Sequence, residues 1–268
     1  MKKVILCVLG PALIAFPATA CSQQPPPPEA PGATLMDRAR ALAMQGRNEE
    51  ALAAADMAVA AEPENFGLPV GRGEVLEQMG RRAEAAESYR LGLHRFESWL
   101  ADATPEEAAN YLRFHALLLA RLGRAPDSIM LVHAERRRGA GGGRLLALRC
   151  EIRAEANVEL QRALADCSEA LASEPGNETA FFARGLAFLR MERWTDAERD
   201  FTSLLRINPT NPDALYGRGL ARQHMNDTHG AARDIAAARR ALFYIDSEFA
   251  RRGLRQAPPA ETAPPPAD

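Results

Sequence analysis

Ala163, Ala197 and Ala231 stand 34 residues apart, and the same interval separates Pro175 from Pro209 and Gly185 from Gly219. Upstream, Ala51 and Ala85 keep it too, and Pro63 follows Ala51 by the distance at which Pro175 follows Ala163. Three residue types holding one register describe a structural unit repeated along the chain, each copy burying its apolar face against its neighbours. Ala, Leu, Arg and Glu dominate the repeats, and aromatic residues are only 6% of the chain, so the unit is helical. With 268 residues, 47% of them hydrophobic, the array can bury a sizeable core.

The clearest copy runs from Asn177 to Thr210, NETAFFARGLAFLRMERWTDAERDFTSLLRINPT. Phe181, Gly185 and Phe188 make a large-small-large pattern on a first helix; Trp194, Ala197, Phe201 and Leu204 fit a second, and Pro209 marks its end. Gly185 and Ala197 have almost no side chain, so two helices can approach closely there while the large residues fill the space above and below. This unit resembles the tetratricopeptide repeat. The resemblance implies an all-α, right-handed α-solenoid of about six helix pairs plus a C-terminal capping helix, covering roughly residues 34–254. Further units are marked by Tyr216, Gly219, Ala231 and Ala238; by Ala147, Cys150, Ala163, Cys167 and Ala170; by Ala39, Leu42, Gly46, Ala51 and Ala58; and by Gly73, Leu76, Gly80, Ala85 and Tyr89.

The middle unit, Ala109 to Gly142, departs from the pattern. Ser128 stands where a small alanine is expected, and Ala85 to Ser128 is 43 residues, nine more than one period, so a helix on one or both sides of Thr104 must be longer. Thr104-Pro105-Glu106-Glu107 is a helix start with a capping hydroxyl, proline in the first turn and a glutamate placed for a capping box. Gly139-Ala140-Gly141-Gly142-Gly143 then makes either a bend between two stacks or an irregular surface turn. Ile245, Phe249 and Gly253 continue the register of a first helix with no second, the pattern of a helix covering the apolar end of a solenoid. The tail, residues 255–268, is rich in Pro and Ala and is expected to be disordered.

At the other end, Lys2 and Lys3 precede an apolar run from Val4 to Phe16, and Ala18-Thr19-Ala20 offers a small-residue cleavage site: residues 1–20 read as a signal peptide. Cys21 follows at once, and residues 21–33 form a Pro-rich linker, an arrangement that resembles a bacterial lipoprotein. The resemblance implies acylation of Cys21 and, with Ser22 next, an outer-membrane lipoprotein facing the periplasm. Ala18 departs from the leucine such signals prefer, and without lipidation the chain would be a soluble periplasmic protein. Cys150 and Cys167 are then either small buried hydrophobes or, in an oxidising compartment, a disulfide.

No phosphate-binding glycine loop, nucleophile elbow or paired metal-ligand histidines occur, so no enzyme, cofactor, metal or small-molecule substrate is expected. The five histidines are scattered, and a formal net charge of −2 gives no reason to expect nucleic acid; Arg136-Arg137-Arg138 reads as a solvated face. The family resemblance instead implies a concave groove, whose positions carry over to Arg40, Glu74, Arg113, Leu117, Arg149, Ile152, Phe182, Leu186, Arg190, Tyr216 and Leu220, unless several of these pack against a neighbouring helix. That groove suits an acidic or amphipathic segment of a protein partner. The expected function is a non-enzymatic interaction scaffold of the bacterial envelope, with a structural subunit of a transport or polymer-export assembly as the alternative.

Overall fold

The computed structural model describes residues 31–137, 142–242 and 244–256, all of them in helices, turns or short connections. Six helix pairs follow one another. The first helices are α1 (Pro31–Met44), α3 (Gly67–Gln78), α6 (Leu112–Arg121), α8 (Gly142–Ala156), α10 (Glu178–Arg190) and α12 (Pro212–His224). Their partners are α2 (Asn48–Ala61), α4 (Arg82–Asp102), α7 (Ala125–Arg137), α9 (Leu160–Ser173), α11 (Trp194–Ile207) and α13 (Thr228–Ala241). The short α5 (Pro105–Asn110) precedes α6, and α14 (Ile245–Arg251) closes the array. No helix among the described residues is long and apolar enough to cross a membrane.

Close approach within each pair rests on the residues that keep the 34-residue register. Ala51, Ala163 and Ala197 are fully buried and Ala85 and Ala231 nearly so. A Cβ on Gly185 would meet the Phe201 ring at 2.9 Å and one on Gly219 would meet Ile235 at 2.7 Å, and Tyr89 packs on Gly73 in the same way; each glycine makes room for the large residue 16 positions later. Ser128 replaces the alanine without penalty, because its hydroxyl donates to the Ala116 carbonyl at 2.6 Å. The turn inside each pair needs a left-handed residue, supplied by Gly46, Gly80 and Gly123 in the first three units and by Asn157, Glu192 and Asn226 in the last three. Asn177 and Asn211, again 34 apart, cap α10 and α12 by accepting the N–H of Ala180 and Ala214, each at 2.9 Å.

The extra nine residues are shared between two elements. α4 has 21 residues where α2, α9, α11 and α13 have 14 each, and α5 is inserted before α6. The Thr104 capping box is formed: Glu107 N–H donates to Thr104 Oγ1 at 3.3 Å and the Thr104 N–H donates to Glu107 Oε2 at 2.8 Å. The array begins at Pro31, three residues before the expected boundary at 34, with Gly32 N–H held by Glu62 Oε1 at 2.7 Å. Of the glycine-rich stretch, Gly142 and Gly143 form the first turn of α8; residues 139–141 lie outside the described residues. One apolar cluster holds Ala116 and Val132 together with Leu145, Leu148 and Ile152, so the core runs on across that point. The leader, Cys21 and residues 257–268 of the tail also lie outside the described residues.

Candidate functional site

α14 determines how much of the inner face stays open. Its apolar side, Ile245 and Phe249, is fully buried, with the Phe249 ring 4.6 Å from Tyr216. Asp246 accepts the Tyr216 hydroxyl at 2.7 Å and the Arg239 guanidinium at 2.7 and 2.8 Å. This is the end-covering role read from the sequence, and a second one accompanies it. Arg252 binds Glu155 of α8 at 2.9 Å and Asp213 of α12 at 3.0 Å, while Arg251 faces Glu77 of α3 at 3.6 Å. Helices from the second, fourth and sixth units therefore converge on one C-terminal turn, as they can only if the first helices line the inside of a curve.

Beside that turn lies a small, half-open cavity of about 140 Å³, lined by Leu117, Arg121, Glu151, Glu155, Arg251 and Arg252, with Ala120 and Ala156. Glu151 Oε1 accepts from Arg113 at 2.8 Å, whereas its buried Oε2 has no hydrogen-bond partner. Burial pushes the Glu151 carboxyl up to about 7, against the pull of the Arg113 guanidinium. Burial likewise lowers the pKa of Arg190, which donates to the Glu155 carbonyl at 3.0 Å. Three arginines and two glutamates line it, and among the described residues no group of side chains is placed to hold a metal ion.

Five of the expected groove residues are not available to a partner. Ile152, Leu186, Tyr216 and Leu220 are buried, because the first helices pack on one another and α14 covers the last of them. Arg149 is buried as well and points to the second helix of its own unit, where Asp166 takes it bidentately at 2.8 and 2.5 Å. Phe182 is half-buried with Arg252 5.3 Å over its ring, and Leu117 and Arg190 are half-buried around the central cavity. Arg40, Glu74 and Arg113 remain reachable; Glu74 links Arg40 at 3.6 Å to Arg121 at 3.4 Å.

Where α14 does not reach, a wider cleft of about 700 Å³ opens between α6, α8 and the start of α10. Leu112, Leu145 and Leu148 give it an apolar floor; Arg113 and Arg144 stand on its rim with Glu135, Glu174 and Glu178. Arg113 spans it, reaching Thr179 Oγ1 at 3.4 Å from its exposed head. Arg144, Leu145, Leu148 and the glutamates of this cleft were missing from the sequence-derived set, although Leu145 lies four residues before Arg149 and Leu148 four before Ile152.

A repeated ion pair also went unread. Arg184 grips Asp200 at 2.7 Å through two nitrogens, and Arg218 grips Asp234 at 2.7 and 2.8 Å. Asp166, Asp200 and Asp234 are 34 apart, as are Arg184 and Arg218, so the signal was present in the register. Arg153 adds a second guanidinium to Asp166, and Arg222 adds one to Asp234 at 2.9 Å. Beside them Cys150 and Cys167 are joined, with sulfurs 2.08 Å apart, as a disulfide between α8 and α9.

No family model matches the chain, and no curated protein does. Among solved structures it is similar to PilW, a type IV pilus biogenesis factor, at 17% identity over 79% of this chain and 93% of PilW, with a TM-score of 0.45. It is similar also to a tetratricopeptide protein from Parabacteroides merdae, at 16% identity over 83% of this chain and 92% of that one, with a TM-score of 0.41. YrrB, a tetratricopeptide protein with a peptide-binding site, is 14% identical over 81% of this chain and 91% of its own, with a TM-score of 0.36. The 34-residue period, the six helix pairs among the described residues and the small residues that set their spacing give this chain the all-α fold of a tetratricopeptide-repeat solenoid.

Proposed function

We propose that this protein is a non-enzymatic scaffold that holds a segment of another protein in the cleft between α6, α8 and α10, tethered in a bacterial envelope through Cys21. The observation that carries the reading is the cleft itself. It is an opening of about 700 Å³ with a leucine floor and both signs of charge on its rim, on the face that α14 otherwise fills. An amphipathic helix or strand answers that chemistry: apolar side chains seat on Leu145 and Leu148, and its own charges pair with Arg113, Arg144 and the facing glutamates. The export part of the reading draws support from the Cys150–Cys167 bond, since such bonds persist in oxidising compartments.

The test is capture of partners from envelope extracts by the purified protein and by the double variant Arg113→Glu with Arg144→Glu. Arg144 is exposed and Arg144→Glu should keep its thermal midpoint, which makes that single variant the control for the double one, where loss of the Arg113–Glu151 pair lowers the midpoint. Loss of one stoichiometric partner in the double variant is the expected result. Equal capture by both would remove the cleft from the mechanism. The anchor is tested separately, by intact mass from the membrane fraction: acyl chains on a chain beginning at Cys21 are expected, and their absence would leave a free scaffold.

A further inference from the structure

The residues by which the chain exceeds its period between Ala85 and Ser128 build a second surface with a lining of its own. Lengthening α4 carries Trp99 out to the turn between α2 and α3, and inserting α5 brings Tyr111 to the same place. The Tyr111 ring lies 5.0 Å from Trp99 and 5.4 Å from Phe66, and Phe66 lies 5.5 Å from Trp99. Behind them Phe96 is buried, fixing the three outer rings from below. Tyr111 is 41% exposed and the other two are half-buried. With Glu62, Pro63, Glu64 and Asn65 they line an open cleft of about 570 Å³.

No basic residue lines this cleft. Glu62 spends its two oxygens on uncharged donors, Gly32 N–H at 2.7 Å and Asn65 Nδ2 at 2.9 Å, and among the described residues Glu64 has no ion pair. The nearby Arg95 guanidinium is bonded to the Asn65 carbonyl at 3.3 Å, so two carboxylates without an ion pair among the described residues stand beside aromatic faces whose π-clouds are themselves negative. Such a surface attracts a cation that also offers flat apolar area, and the guanidinium does both. The molecule makes the same contact internally: Arg193 sits 4.5 Å over Phe188, and Arg252 sits 5.0 Å over Phe249.

We propose that the Phe66–Trp99–Tyr111 cleft is a second docking surface, which takes an arginine-bearing extended segment of a partner protein, with the guanidinium against the rings and facing Glu62 and Glu64. Its lining shares no residue with the α6–α8–α10 cleft. An array with both surfaces holds two segments at once and joins partners, or binds one partner at two points.

The experiment titrates the purified protein with the acetylated, amidated peptide Gly-Ala-Pro-Arg-Pro-Ala-Gly and with the same peptide carrying citrulline for arginine. The readout is the indole N–H resonance of Trp99, identified by its loss in Trp99→Phe. A saturable shift with the arginine peptide is expected, weaker by about tenfold with citrulline, which keeps the shape and loses the charge. Glu64→Gln, at an exposed position, should weaken binding severalfold with an unchanged thermal midpoint, and Arg113→Glu with Arg144→Glu should leave it intact. Equal binding of both peptides, or no saturable shift with either, would overturn the proposal.

Discussion

Glu151 stands 34 residues before Gly185, in the register where the fifth unit uses a glycine to receive the Phe201 ring. Its unit tolerates the carboxylate because Cys167, 34 before Phe201, is small and bonded to Cys150. The cost is a desolvated acid, raised from its ordinary 4.5 to about 7 by burial. The folded chain therefore keeps this proton longer than the unfolded chain does. The resulting stability is full below about pH 4.5 and is lost as the pH rises through about 7. Glu151→Gln cannot ionise, so urea unfolding at pH 5 and at pH 8 should show the parent losing on the order of 3 kcal/mol more than the variant across that interval. Parallel pH profiles would mean that Glu151 is solvated. Asp200 presents the opposite case, an acid whose partner is essential. Its side chain is 4% exposed and held bidentately by Arg184, so Asp200→Ala strands a guanidinium and should cost about 3–5 kcal/mol in denaturant unfolding. Substitution of the exposed Asp127 should cost under about 1 kcal/mol.

At the level of elements, helix pairs close with different devices: a glycine under Tyr89, Phe201 or Ile235, a serine hydroxyl on a carbonyl, or the disulfide in the fourth unit. Because Cys150 and Cys167 are 17 apart, reducing the bond frees a short loop in the unfolded chain; unfolding with and without a thiol reductant should differ by about 3 kcal/mol. An unchanged midpoint on full reduction would contradict that role. The period, the capping box at Thr104 and the terminal helix were legible because each depends on residues close in sequence or locked in one register. The buried acid–arginine pairs obey the same register and were legible too, but charged residues read first as solvated surface. Arg149 was misassigned for a local reason: neighbouring helix positions point some 100° apart, and in a unit lacking its glycine the register is ambiguous by one residue.

On the scale of the whole molecule, the curvature of the array decides what the inner face can do. Small rotations between successive pairs add up until α14 touches α3, and this sum is not written in any one repeat. Glu77 and Arg251, or Glu155 and Arg252, meet only because of it. Hence most of the residues taken for an open groove in the later units are buried, and the face stays open mainly between α6, α8 and α10. The most direct measurement of the scaffold reading is a photo-crosslinking amino acid placed at Arg144 on the cleft rim and, as the contrast, at the exposed Met57 on α2, in cells of a native-like host. The account predicts one discrete adduct from position 144, none of that mass from position 57, and its disappearance in the Arg113→Glu background. The same adduct from both positions, or none from position 144, would contradict it.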